Sequence, residues 1–190
     1  MEARTLIRQM AVLEQLKNAT RHSWTSSGRQ ESVAEHSWRM TMMAYFMKDE
    51  FPEADIDKVI RMCMMHDLGE CFTGDIPIFY KTEEHEVREE ELLHRWLDEL
   101  PEPFSSEMKA LFEEMEQQQT LEARLYKAID KLEVIIQHNE ADLSTWIPLE
   151  YELNLVHGQK QVAFSEYLKS IKAVANEDTR IKLKENGITE

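Results

Sequence analysis

Six side chains have the types that hold a divalent cation or move a proton: His36, the adjacent pair His66-Asp67, Glu70, Asp75 and Asp130. Two imidazoles and two carboxylates, from His36, His66, Asp67 and Asp130, form a donor set suited to a borderline ion such as Mn²⁺, Co²⁺, Fe²⁺ or Zn²⁺. Glu70 follows His66 by four residues and Asp67 by three. On a helix that offset stacks it one turn from both, beside a metal-bound water and off the ion itself. Each residue alone has a plainer explanation. His36 would be a core histidine bonded to its neighbours, and His66-Asp67 a polar pair at a helix end. Asp130 would pair with Lys127 or Lys131. Only the set argues for chemistry.

The elements that must position this set read as helices. Thr5 to about Ala19 is amphipathic, with Leu6, Met10, Leu13 and Leu16 on one stripe, and a polar stretch follows to Gln30. Ser32 and Glu35 form an S-x-x-E capping box, which predicts a helix from about Val33 to Asp49. On it His36 shares a face with Met40, Met43 and Met47, so it points into the core one turn after the cap. Pro52 and Asp55 break and restart the chain into a second helix that ends at "MMHDLGE". Adjacent residues on that helix point about 100° apart, yet His66 and Asp67 differ in length enough to reach one ion. Gly69 is expected to let the backbone bend away. Beyond "FTGDIP", helices are predicted over Glu83–Leu100, Ser106–Glu116, Leu121–His138 and Gln159–Ala175, with "KENGITE" a frayed tail. On the Leu121 helix, Leu121, Leu125, Ile129, Leu132 and Ile136 make the core stripe and Asp130 lies on a partly apolar face. No stretch reads as a convincing strand. The fold class is all-α.

At 190 residues one domain is the default. Only 5 Gly and 5 Pro leave little of the turn punctuation an all-β chain needs. A formal charge of −15 argues against a nucleic-acid polymer as partner, because binding one requires clustered Lys and Arg. A small anion is still admissible if a metal or a few cations reverse the field locally. Two cysteines, Cys63 and Cys71, are too few for a disulfide framework. No signal peptide or long apolar segment is visible, so no membrane is expected and a reducing cytoplasm is the simplest home.

The order His36, His66-Asp67, Asp130 resembles the H…HD…D signature of the HD-domain metal-dependent phosphohydrolases. "ESVAEHSWRM", "HDLGECFTGDIP" and "KAIDKLE" are similar to the 5′-deoxynucleotidase branch, which dephosphorylates deoxyribonucleoside 5′-monophosphates. The likeness spans roughly Leu6 to Glu133 and fades toward the C-terminus. It implies a single HD-domain helical bundle over 1–190, with a core of about 5–140 and a helical extension of about 141–190. A metal site would lie between core helices. By the same resemblance one divalent ion per chain binds to His36, His66, Asp67 and Asp130, and Glu70 and Asp75 are the catalytic carboxylates. Arg21 and Trp24, in "RHSW", would contact phosphate and sugar. A small-molecule nucleotide is then the substrate, and a homodimer is expected.

Two rivals belong to other classes. Some HD domains hold a second metal through extra histidines, and His85 and His94 lie in the right interval. A solvated acidic helix explains that pair better. A non-catalytic nucleotide-binding module is disfavoured because it has no need of Glu70 and Asp75. Trp146, in "ADLSTWIPLEYE", is open between shaping a pocket and an oligomer contact.

Overall fold

The capping box at Ser32 forms as the sequence predicts, and it opens the helix that carries His36. The Ser32 hydroxyl accepts the Glu35 backbone N–H, and the Glu35 carboxylate accepts the Ser32 N–H at 2.9 Å. Arg29 grips the same carboxylate with both terminal nitrogens, which holds its pKa down to about 2. The computed structural model describes residues 1–188. Its elements in chain order are α1 (Ala3–Leu13), α2 (Gln15–Asn18), β1 (Thr20–Trp24), β2 (Gln30–Ser32), α3 (Val33–Phe46) and α4 (Ile56–Met65). There follow α5 (Glu70–Thr73), α6 (Glu83–Glu99), α7 (Phe104–Gln117), α8 (Leu121–Glu140), α9 (Pro148–Val156) and α10 (Glu166–Glu185). The architecture is a mainly helical bundle, in keeping with the all-α expectation.

The bundle is built around α3, α4 and α8, which pack on one another. Their facing side chains, including Met40, Ala44, Val59, Met62, Leu125, Ile129 and Leu132, are almost fully buried. At about 25 cal/mol per Å² of buried apolar surface, burying these side chains stabilises the fold. Side-chain caps set the helix starts: Asp55 accepts the Lys58 N–H at 3.0 Å and Thr120 the Ala123 N–H at 3.2 Å. Ile135 is buried and Ile136 only half-buried, so the core stripe of α8 rotates slightly from the predicted one.

Four expectations are corrected. First, the polar stretch before Ser32 contains an antiparallel hairpin, β1 with β2, in which Thr20 faces Ser32 and Trp24 faces Gln30. Its strands are short and polar, so no alternating apolar pattern announced them. Second, α4 ends at Met65. The chain then tightens, with Leu68 bonding back to Met65, Glu70 to Asp67 and Cys71 to Leu68, each three residues apart. Third, Gly69 keeps an ordinary helical φ of −56°, so it does not bend the chain. A Cβ there would lie 2.6 Å from Glu89 Cγ, and the glycine is needed for the close approach of α6.

Fourth, the C-terminal helix expected over Gln159–Ala175 begins only at Glu166 and runs on to Glu185, and an unforeseen helix precedes it. Pro148 opens α9 at a first-turn position, where its missing N–H costs nothing. Ser165 caps α10, which runs through Ala175 to Glu185. Leu168, Lys172, Ala175, Thr179 and Leu183 form its buried stripe, and the polar Lys172 and Thr179 hid it from a hydrophobicity reading. Lys184 and Glu185 therefore belong to α10, while Thr189 and Glu190 lie outside the described residues. No helix among the described residues is long and apolar enough to cross a membrane.

Candidate metal centre and cavity

α3, the tight turn after α4, and α8 bring His36, His66, Asp67 and Asp130 to one place. Ligand atoms of His36, His66 and Asp67 all lie within 4.8 Å of one another. The two imidazoles are 5.3 Å apart between centroids. Asp130 Oδ1 stands 3.6 Å from His36 Nε2, and its other oxygen pairs with Lys127 Nζ at 3.2 Å and Lys131 Nζ at 3.0 Å. The lysine pairing weighed for Asp130 from sequence is thus present, and so is its approach to the histidines.

The ring nitrogens decide whether this cluster fits a cation. His36 Nδ1 hydrogen-bonds to Glu133 Oε2, and His66 Nδ1 donates to the Cys63 carbonyl at 3.0 Å. A carbonyl only accepts, so the Nδ1 of His66 carries the hydrogen and its Nε2 is turned to Asp67, 3.0 Å from Oδ2. Both Nε2 atoms are buried and have no hydrogen bond. A buried polar atom without a partner is costly, and two of them aimed at carboxylates are what a cation site requires. The donor set fits a divalent ion.

The charges around the cluster follow the same logic. Burial and Arg21 lower the His36 pKa, but Glu133 and Asp130 outweigh them and raise it to about 9. Burial opposes ionisation of Asp67, yet His66, His36 and Arg21 together hold it well below the usual carboxylate range. Glu70 has no such compensation. Burial first, then Asp67 and Asp75, push its carboxyl up to about 10. The tight turn accounts for the proximity, because residues three apart eclipse in such a helix and Glu70 stacks on Asp67. Asp75 is also raised, chiefly by burial and against the pull of Arg21. Three crowded carboxyls call for positive charge.

Arg21 supplies part of it, with its guanidinium 3.4 Å from both Asp67 and Glu31. It lines a cavity of about 350 Å³ together with Asp67, Glu70, Asp75 and Asp130. Lys81, Lys127 and Lys131 line it too, so a chain of −15 net charge presents four cations around one opening. The volume is within the range of small-molecule sites. A larger apolar groove of about 660 Å³ lies elsewhere and includes none of the candidate ligands.

Trp24 is not among the residues lining the cavity. It is half-buried at the end of β1, where its carbonyl accepts Gln137 Nε2 at 2.7 Å. The aromatic face on the cavity is Phe79, held edge-on by His22 at 5.3 Å. His85 and His94 stay on α6 away from the cavity, where His85 caps its own helix and His94 sits near Glu90. Trp146 is buried behind the site, donating to the His138 carbonyl at 3.1 Å.

Sequence reasoning missed Glu133 and Glu31, which flank His36 from behind, and the far wall of His138, Glu150, Asn154 and His157. Glu133 carried a readable signal. It follows Ile129 by four residues on the core stripe, and a fully buried carboxylate there needs a partner. His138 ends the predicted Leu121 helix without a signal of its own, and the rest of the far wall carried none, since α9 itself was unforeseen.

The chain as a whole is similar to known proteins. A 5′-deoxynucleotidase HDDC2 from Homo sapiens is 36% identical over 143 residues, covering 73% of this chain and 69% of the relative. The HDDC2 of Danio rerio is 30% identical over 180 residues, 92% of this chain and 88% of the relative. The crystal structure of a predicted metal-dependent phosphohydrolase from Magnetospirillum magnetotacticum superposes with a TM-score of 0.77 at 27% identity, covering 97% and 96% of the two chains. The HD-domain family model matches residues 13–172, which include every candidate ligand. This chain belongs to the HD-domain family, in its 5′-deoxynucleotidase branch.

Proposed function

We propose that the chain hydrolyses deoxyribonucleoside 5′-monophosphates to deoxynucleoside and phosphate, with one divalent ion held by His36, His66, Asp67 and Asp130. The observation that carries the reading is the pair of buried, unpartnered imidazole nitrogens facing Asp67 and Asp130, on a cavity ringed by Arg21 and three lysines. When bound, a divalent ion there supplies Lewis-acid polarisation of the phosphoryl group and a water of lowered pKa. Mn²⁺, Co²⁺, Fe²⁺ and Zn²⁺ all suit the donors.

The protein's own groups do the rest. A phosphomonoester near neutral pH is a dianion, so neutralising and positioning it is most of the task. Arg21 is placed to pair with the non-transferred oxygens, releasing part of its hold on Asp67 as it does so. Glu70, buried and proton-holding beside Asp67, is the group that exchanges a proton with the attacking water. Asp75 reaches the cavity from the loop after α5 and serves the departing 5′-oxygen. The rings of Pro77 and Phe79 and the side chain of Leu153 line the cavity beyond these charges and suit a nucleoside.

Phosphate release is to be measured on a panel of deoxy- and ribonucleoside mono- and triphosphates with each metal. The expected outcome is metal-dependent turnover of the deoxymonophosphates, abolished by chelation. Dominant hydrolysis of triphosphates would defeat the branch-level reading and leave the metal centre standing.

A further inference from the structure

The cavity has a second polar end that the proposed hydrolysis does not use. It is made by α9 and the residue after it, facing β1 and the loop that carries Phe79. Glu150 is buried there, with Oε1 3.2 Å from His22 Nε2 and Oε2 accepting the Ile147 backbone N–H at 2.7 Å. The Glu150 carboxylate thus stands against the imidazole that meets Phe79 edge-on. The amide nitrogen of Asn154 donates to Thr179 at 2.9 Å and Asn139 at 3.3 Å, which leaves its oxygen for a ligand. The Nε2 atoms of His22 and His157 are both buried with no hydrogen bond; that of His22 lies against the Glu150 carboxylate, and that of His157 has no carboxylate against it among the described residues.

His157 is also held in place. Gly158 has φ of +72°, a conformation that favours glycine, and a Cβ on it would lie 2.7 Å from Lys131 Cβ. The backbone at the end of α9 is thereby pressed on α8 one residue beyond Asp130. An immobilised imidazole with an unused nitrogen is expensive to keep unless something bonds to it. Burial first, then Lys131, lower its pKa to about 4, so the ring is neutral and offers a donor at one nitrogen and an acceptor at the other. A neutral donor–acceptor ring suits the polar edge of a heterocycle and not a second phosphate. Phe79 and Leu153 supply the flat and apolar surroundings such a ring system needs.

We propose that the nucleobase of the substrate lies between Phe79 and α9 and that His157 reads its polar edge. This rests on the nucleotidase reading for the identity of the ligand, but it can be tested apart from turnover. Binding of deoxynucleoside 5′-monophosphates and of deoxyribose 5-phosphate is to be measured by calorimetry on the full chain, for the wild type, His157→Ala, His157→Gln and Phe79→Ala. Kinetics on the same compounds follow with metal added. His157→Ala is expected to weaken deoxynucleotide binding, and to raise KM, at least about tenfold more than it does for deoxyribose 5-phosphate, the scale of one buried hydrogen bond. His157→Gln, which retains a donor and an acceptor, should recover part of the loss and change the order of preference among bases. Phe79→Ala should show the same asymmetry between the two ligands. Equal effects on both ligands would make His157 a structural residue and overturn the proposal, as would unchanged nucleotide binding. If the wild type binds deoxynucleotides with the predicted asymmetry yet releases no phosphate, the hydrolase reading fails and the base site stands.

Discussion

Glu70 separates the roles of residues that share one turn. It is buried beside Asp67, and its carboxyl retains a proton at neutral pH in the absence of a cation because burial, Asp67 and Asp75 all oppose ionisation. His66 and Asp67 direct their donor atoms at His36, whereas Glu70 does not join the group of atoms within 4.8 Å. A group that handles protons matters to rate more than to assembly. Glu70→Gln keeps the size of the side chain and removes the exchangeable carboxyl proton. We expect the variant to hold its metal by elemental analysis and to bind nucleotide, while kcat falls by about 10²–10⁴. Metal loss in Glu70→Gln would make Glu70 a ligand, and near-normal turnover would pass its role to Asp75.

At the scale of elements, the site depends on how α9 is fastened to the bundle. Lys172 on α10 is buried without a carboxylate partner, and its ammonium donates to the carbonyls of Asn154 and Leu155 at the end of α9 and to Asn176. Burial first, then Arg180, lower its pKa from 10.5 to about 8. Between those values the unfolded chain binds a proton that the folded chain does not, so stability from this group rises with pH across that window. The Tm difference between wild type and Lys172→Met should therefore shift in favour of the wild type between pH 7.5 and 9.5. The expected size is about 2–4 °C, the shift that roughly 1 kcal/mol produces in a chain of this length. A pH-independent difference in thermal unfolding would show that Lys172 keeps its ordinary pKa.

For the molecule as a whole, the proposed centre would link α3, the turn after α4, and α8, at the middle of the bundle. A ligand that binds only the folded chain stabilises it by mass action, about 2.7 kcal/mol at a hundredfold excess over Kd. Added Mn²⁺ or Co²⁺ should raise Tm by several degrees and a chelator should reverse the rise. His66→Ala removes one donor from the cluster, and its Tm should respond to neither. An undiminished metal response in His66→Ala would remove His66 from the centre.

The placement of His36 was legible because local rules decide it: a cap at Ser32 starts the helix, and a period of 3.6 then points His36 and Met40 inward together. Asp130 was readable in the same way, as a polar residue on a partly apolar face, whereas the HD pair was legible only as a motif, since it lies in the turn after α4. The hairpin and α9 were not, since the first has no alternating pattern and the second is held by Asn154, Thr179 and Lys172, polar groups that pair only after folding. Tertiary structure alone decided that Glu133 stands behind His36, that Phe79 and not Trp24 faces the cavity, and that His157 completes its far wall. These are contacts between residues as far as 97 positions apart, as for His36 with Glu133. Helical periodicity specifies which side of one element is buried; which element lies opposite is determined by the packing of the whole chain.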